Sequence, residues 1–263
     1  MDCSWSNLPQ CISGYFTDYF FSYLLGILNS PVNLFLGFIR KLISEPVNIE
    51  IFYSTWLVII YILSFFYIII FIYAGFQFIT SANNPIKRES AKEWLKNAFF
   101  LIIFVQASYF IYSSVLLLAS SLAEGILGGV DTSFFTITME GSVGMQIMLL
   151  IPYLITLLIT ALILGVRYIL ASVGLIFFTL GIFAYFIQPI KDIGKFLVTV
   201  VLVILFVPFF QAIMIIAISK IVQNFTDYKI LILICGFLLI NIATIALVYF
   251  VTIKSALGLS GLR

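Results

Sequence analysis

The chain has 263 residues, of which 63% are hydrophobic and only 9% are charged. Soluble domains are about 45–50% apolar and about 25% charged, so this chain has too little polar surface for a water-soluble globule. The composition indicates an all-α polytopic membrane protein, and a net charge of only +2 excludes long-range attraction of nucleic acid.

The first 48 residues are less uniformly apolar than the rest of the chain. Polar residues and a proline divide them into two halves, each shorter than the roughly 20 residues that cross a bilayer. We expect an extracytoplasmic pair of interfacial or re-entrant helices at 1–48, followed by a transmembrane domain at 49–263; one spanning segment is the alternative. The interrupting residues are Asp18, Asn29, Pro31 and Asn33.

The first two predicted spans, 51–78 and 98–122, flank the most polar stretch of the chain, SANNPIKRESAKEWLKN at 81–97. Asn84 before Pro85 is typical of a helix start, with asparagine as the N-cap and proline at the first helical position. We expect that helix to continue into the second span. Its four basic residues, here called the basic ridge, either anchor the helix on anionic headgroups or dock a cytoplasmic ATPase or DNA. They are Lys87, Arg88, Lys92 and Lys96.

An apolar run of 44 residues, 145–188, follows a glycine-rich external loop at 124–144 and is interrupted by a single charge, Arg167. As one helix it would be about 66 Å long, twice the hydrocarbon core. We therefore expect a turn at Arg167. The remaining predicted spans are then 145–166, 168–188, 196–219 and 230–253. They bring the total to about six, within a range of five to seven.

The distribution of Lys and Arg predicts the orientation, because these residues concentrate in short cytoplasmic loops. The 81–97 loop carries four and the 124–144 loop none, which places the N-terminus outside. Beyond Arg167 two arrangements are open. Six crossings leave seven basic residues inside and six outside, whereas re-entry of 168–188 leaves nine inside and four outside. We expect six crossings.

Four polar residues inside the predicted spans are candidates for lining a channel or for bonds between helices. Lipid offers polar groups no partner, so such side chains usually face the protein interior or another helix. For Arg167 the alternative is a snorkelling arginine that marks the turn. Gly174 and Gly181 predict close helix packing. The four candidates are Gln106, Arg167, Gln211 and Asn241.

No group suited to catalysis lies inside a predicted span. The chain contains no histidine, and no Asp, Glu or Lys occurs within the spans, which excludes an aspartyl intramembrane protease or a carboxylate proton relay. We do not expect an enzyme. The three cysteines lack the C-x-x-C spacing of zinc sites, so no metal or cofactor is expected. Cys3 and Cys11 form either a disulfide or two thiols.

Two stretches resemble type IV secretion machinery. GFQFITSANNPIKRESAKEWLKNAFFLIIFVQASYFIY, at 75–112, is similar to secretion pilins, in which a short basic turn joins two hydrophobic helices. RYILASVGLIFFTLGIFAYFIQPIKDIGKFLVTVVLVILFVPFFQAIMI, at 167–215, resembles the TrbL-type channel subunit, in which an arginine opens an apolar segment that ends near a proline before a basic turn. The residues on that pattern are Arg167, Pro189, Lys191 and Lys195.

The small size, the external N-terminus, the interrupted N-terminal helices and the Ile/Phe/Tyr-rich, histidine-free composition most resemble the CedA-like polytopic membrane subunit of the crenarchaeal DNA-import system. The resemblance covers about residues 70–215. The resemblance implies an oligomeric channel or scaffold subunit that moves DNA across the cytoplasmic membrane, by import or exchange. It also implies small pilin-like membrane proteins and a HerA-like cytoplasmic ATPase as partners. Two alternatives are a small-solute transporter of unknown substrate and a structural membrane subunit.

Overall fold

The computed structural model of the protein describes residues 8–80, 85–130, 135 and 143–260. Within these ranges the chain forms six α-helices and no strand, which confirms the all-α class. Helices are expected here because an apolar chain in hydrocarbon must satisfy its backbone polar groups internally. The helices are α1 (Leu8–Ser44), α2 (Tyr53–Thr80), α3 (Pro85–Leu127), α4 (Val143–Phe186), α5 (Lys191–Asn224) and α6 (Lys229–Ser260).

Five helical segments in the described part of the chain are long and apolar enough to cross a membrane. The number lies at the lower end of the predicted range. The chain is thus a multi-pass membrane protein whose apolar outer surface contacts lipid. The segments are Glu50–Thr80, Lys87–Leu127, Met148–Phe186, Gln188–Asn224 and Lys229–Lys254.

Helix α1 is one continuous helix, so the predicted pair of short N-terminal helices is wrong. Pro31 lies inside it, but a proline removes only one backbone donor. The next turns bury a stripe at i, i+4, i+7 and i+11 on one face: Val32, Leu36, Ile39 and Ile43 are all at most 7% exposed. This burial stabilises the helix beyond the proline. The interfacial position of residues 1–48 stays a prediction.

Helix α4 runs without interruption through Arg167, so the predicted turn and the division into spans 145–166 and 168–188 are wrong. The proline inside α4 is Pro152, well before Arg167. Arg167 is only 8% exposed, and its guanidinium hydrogen-bonds within the protein, so it needs no turn to reach water. A helix longer than the hydrocarbon core can extend beyond it. Both arrangements considered from the sequence depended on the missing turn.

The chain divides into two compact units. The first unit contains α1 together with Ala123–Gly165 and Phe210–Ala243. The second contains Glu45–Leu122, Val166–Phe209 and the part of α6 from Thr244 onward. Helices α3 to α6 therefore each contribute residues to both units.

The core of the second unit is built from apolar stripes on neighbouring helices. On α2, Trp56, Ile60, Leu63 and Tyr67 recur at i, i+4, i+7 and i+11 and are all buried. This spacing places them on one face of the helix. They belong to a core that α3, α4 and α5 complete, with the buried residues Leu101, Val105, Tyr112, Leu116, Ala171, Leu175, Phe178, Ile182, Val201 and Leu205.

The core of the first unit centres on Phe237 of α6, which is 1% exposed. Its ring lies 6.0 Å from that of Phe135 and 6.2 Å from that of Tyr153, distances typical of packed aromatic pairs. The Tyr153 hydroxyl donates to the Phe135 carbonyl oxygen over 2.9 Å. This bond ties Phe135 to α4.

Two glycines of the second unit allow α4 and α5 to approach closely across their connection, which is a single 3₁₀ turn, Gln188–Ile190. A Cβ placed on Gly181 would lie 3.0 Å from side-chain carbons of Leu197 and Val198, and one on Gly194 would collide with the backbone of Tyr185. Close packing at Gly181 is therefore confirmed. The contact at Gly194 allows so short a connection.

We expect Gly194→Ala to destabilise the protein by about 1–3 kcal/mol, the usual range for overpacking. The measurement is thermal unfolding in detergent micelles. Gly165→Ala is the matched control, because nothing lies within 4 Å of a Cβ at that position in α4. Alanine in an open helical position should stabilise the helix by about 0.5–1 kcal/mol. Equal effects of the two substitutions would contradict the close approach at Gly194.

Candidate functional site

The basic ridge lies on the first three turns of α3. The helix begins at Pro85, which confirms the predicted start and its continuation into the span; the proposed N-cap Asn84 lies outside the described residues. Ala91 and Ala98, seven residues apart, are 0% and 3% exposed and form the packed face of this segment. The four ridge residues, Lys87, Arg88, Lys92 and Lys96, are all exposed.

Aromatic contacts hold this segment against the end of α2. The Trp94 ring lies 5.1 Å from that of Tyr73 in a T-shaped arrangement, a favourable geometry for aromatic pairs. Lys96 Nζ lies 5.9 Å from the centre of the Phe100 ring, within the range of cation–π contacts. The ridge residues therefore belong to a helical segment that packs against α2.

Arg167 of α4 is a buried cation in the second unit. Its Nε donates to the carbonyl oxygen of Ile204 on α5 over 3.2 Å, and its Nη2 lies 3.5 Å from that of Leu205. In a regular helix the Ile204 carbonyl would accept from the N–H four residues later. That residue is Pro208, which has no N–H. The guanidinium thus supplies the donor that the proline removes.

A chain of three hydrogen bonds connects α2, α3 and α4 in the same unit. Trp56 Nε1 donates to Ser108 Oγ over 2.9 Å, Ser108 Oγ lies 3.0 Å from Thr179 Oγ1, and Thr179 Oγ1 lies 2.9 Å from the Leu175 carbonyl oxygen. Because that carbonyl can only accept, Thr179 donates its single proton to it. Ser108 must then donate to Thr179, so all donors point the same way along the chain.

The first unit contains a second buried polar contact, between α4 and α6. Asn241 Nδ2 donates to Thr160 Oγ1 over 3.0 Å, and Thr160 donates to the Thr156 carbonyl oxygen over 2.8 Å. Asn241 is 4% exposed. Its Oδ1 has no hydrogen-bond partner among the described residues.

The four polar candidates occupy different environments. In the second unit Arg167 is buried, while Gln106 is exposed on α3. In the first unit Gln211 and Asn241 are both buried, at 2% and 4% exposed. The sequence reasoning missed that the partner of Arg167 is Ile204. The available signal was Pro208, because a proline inside a helix leaves the carbonyl four residues earlier without its donor.

The side chains suited to binding a metal ion are not clustered in the ranges that the structure describes. Groups of three or more His, Cys, Asp or Glu side chains that could hold a metal ion do not occur there. Cys235 is an exposed free thiol. The possible disulfide between Cys3 and Cys11 lies outside the described side chains.

The pairing of Arg167 with the Pro208 position can be measured by a double-mutant cycle. In Pro208→Ala the new N–H restores the helix bond to Ile204, so Arg167→Met should destabilise that background less than the natural chain. We expect a coupling of about 1 kcal/mol, the size of one hydrogen bond, in detergent unfolding. Pro152→Ala in α4 is the matched control and should be additive with Arg167→Met. Additivity in both cycles would contradict the pairing.

Comparison with known proteins identifies no relative of this chain. No model of a protein family matches it, and neither a curated protein nor a solved structure was found to match. The functional interpretation therefore depends on the chain's own residues and on the sequence resemblance described above.

Proposed function

We propose that this protein is a channel or scaffold subunit of a type IV secretion-like machine that moves DNA across the cytoplasmic membrane. The observation that carries the proposal is the basic ridge, an exposed set of four cations on an ordered helix that continues into a span. Small pilin-like membrane proteins, a HerA-like ATPase and further copies of the chain complete the proposed assembly.

The geometry of the ridge suits contact with a polyanion or with an acidic protein surface. Arg88, Lys92 and Lys96 lie about 6 Å apart along the helix axis, at 1.5 Å per residue, and share one face. Cations placed in this way neutralise phosphates and release their counterions. The neighbouring Glu89 and Glu93 are also exposed, so the segment carries a modest net positive charge. Such a charge favours a local docking contact over long-range capture of DNA.

The continuous helix α4 leads us to replace the six expected crossings by five, with the N-terminus still outside. If each of the five spanning segments crosses once and the N-terminus is outside, eight of the 13 Lys and Arg residues lie inside and four outside, with Arg167 within a span. The outside residues are Arg40, Lys41, Lys220 and Lys229. This distribution follows the positive-inside rule better than the seven against six of the six-crossing arrangement. The C-terminal end of α6 then lies inside, on the side of the basic ridge.

The pairing of buried polar groups favours this function over the small-solute transporter. A transporter needs convergent polar groups free to bind its substrate at mid-membrane. Trp56, Ser108 and Thr179 of the second unit instead hydrogen-bond to one another. Bonds of this kind hold helices together, as a scaffold or channel wall requires.

Replacing the three ridge residues that share one face tests the proposed function directly. The triple variant Arg88→Gln, Lys92→Gln, Lys96→Gln should abolish DNA transfer between cells, because it removes the cations that contact the motor or the DNA. We expect membrane insertion and protein level to be unchanged. The variant leaves five basic residues inside against four outside, so its orientation is checked by the cysteine labelling described below. Transfer would be measured as recombinant marker uptake, with immunoblots of the membrane fraction.

The matched control for that experiment is Lys191→Gln with Lys195→Gln, which removes cations from the same proposed side of the membrane. Both side chains lie near the start of α5, where Lys195 pairs with Asp192 over 3.2 Å. We expect this variant to keep most of its DNA transfer. Undiminished transfer in the triple variant would show that the ridge is only a topological anchor.

The orientation has its own test, labelling of single cysteines with a membrane-impermeant maleimide. In a background with Cys3, Cys11 and Cys235 changed to serine, Lys191→Cys and Lys254→Cys should be labelled only in inside-out vesicles. Lys220→Cys should be labelled in intact cells, because it lies at the other end of α5. Labelling of the Lys191→Cys variant from outside would overturn the five-crossing arrangement.

A further inference from the structure

Gln106 is an exposed amide in the middle of a hydrophobic helix. It lies halfway along α3, Pro85–Leu127, inside the apolar segment 98–122. Its side chain is exposed and has no hydrogen-bond partner among the described residues. Lipid chains provide no donor or acceptor, while a glutamine amide has two donors and one oxygen that accepts. An amide in this position therefore indicates a polar partner outside the chain.

The residues around Gln106 form a continuous stripe on α3. Ile103, Phe110 and Leu117 are 49%, 70% and 51% exposed, and with Gln106 they recur at spacings of three, four and seven residues. That spacing is the seam of two helices packed side by side. Ser114 is exposed on the same face, where a small side chain lets a neighbouring helix approach closely.

This stripe lies on the side of α3 opposite to the side that packs in the second unit. The packed side carries residues that are at most 4% exposed, and it recurs with the same helical period. At about 100° per residue the two stripes lie on opposite faces of the helix. The stripe that contains Gln106 is therefore free to pack against a separate helix. The packed residues are Leu101, Val105, Ser108, Tyr112 and Leu116.

A second copy of the chain supplies a suitable hydrogen-bond partner for Gln106, namely its own Gln106 amide. An amide is both donor and acceptor, so two amides related by a two-fold axis can each donate to the other. Copies inserted in one membrane share the same orientation, so a two-fold axis along the membrane normal brings identical residues face to face. The stripe carries no charge that would repel its own copy.

We propose that two copies of the protein pair through this face of α3, with reciprocal hydrogen bonds between their Gln106 side chains. The contact leaves the basic ridge of each copy exposed, because Arg88, Lys92 and Lys96 precede the stripe on the helix. The pairing does not depend on DNA transfer.

Disulfide cross-linking in native membranes tests the pairing. In the cysteine-free background described above, Gln106→Cys and Phe110→Cys should each give a band of twice the monomer mass after mild oxidation. Phe65→Cys is the matched control, since Phe65 is 73% exposed near the middle of α2, outside the proposed face, and should stay monomeric. Equal cross-linking at positions 65 and 106, or none at 106, would overturn the proposal. A cross-link from the Gln106→Cys variant to a different membrane protein would do the same.

The association constant provides a second measurement that needs no cysteine at the interface. Hydrogen bonds between membrane helices average about 0.6 kcal/mol each, so losing two should weaken pairing about eightfold. Energy transfer between labelled copies in liposomes should show this loss for Gln106→Leu and no change for Phe65→Leu. The fold of Gln106→Leu should be unaffected, because its side chain bonds to no described residue. An unchanged association constant would refute the role of Gln106, whatever the outcome of the DNA-transfer experiment.

Discussion

The hydrogen bond from Arg167 to the Ile204 carbonyl resolves two problems inside the second unit at once. A guanidinium that is 8% exposed needs acceptors, and a carbonyl four residues before Pro208 needs a donor. Leaving either group without a partner in a low-dielectric interior would cost considerable free energy. Because each satisfies the other, α4 continues past its arginine and α5 past its proline. The continuity of α4 and α5 depends on that hydrogen bond.

The continuity of α4 has a consequence for the chain beyond it. A turn at Arg167 followed by a sixth crossing would reverse the direction of every later segment. The side of the membrane assigned to 188–195, 220–229 and 254–263 therefore depends on whether α4 crosses once. An excess of seven inside against six outside gives little reason to choose an orientation. Five crossings place eight basic residues inside and four outside. This larger excess gives 188–195, 220–229 and 254–263 a consistent orientation. A local hydrogen bond thereby supports a topological proposal for the whole chain.

The sequence predicted well what depends on local pattern. It predicted the helical class, the multi-pass character and the helix start at Pro85, because apolar runs and a proline at the first helical position act over a few residues. Its predictions were wrong where helix continuity depends on packing or on residues distant in the sequence. Pro31 was taken as a break, but the buried stripe that begins at Val32 continues the helix. Arg167 was taken as a turn because its partner lies 37 residues away on α5. The candidate site divides in the same way: the spacing of the ridge was visible in the sequence, whereas the exposure of Gln106 depends on how α3 packs.

The pairing of Arg167 with the position of Pro208 also determines which of the two residues can be substituted first during evolution. If the proline is replaced first, the new N–H and the arginine can share the Ile204 carbonyl, which has two lone pairs, so little is lost. If the arginine is replaced first, the Ile204 carbonyl loses a donor that Pro208 cannot supply. Descendants of this chain should therefore pass through the proline-free intermediate, and lineages that keep the proline should keep the arginine.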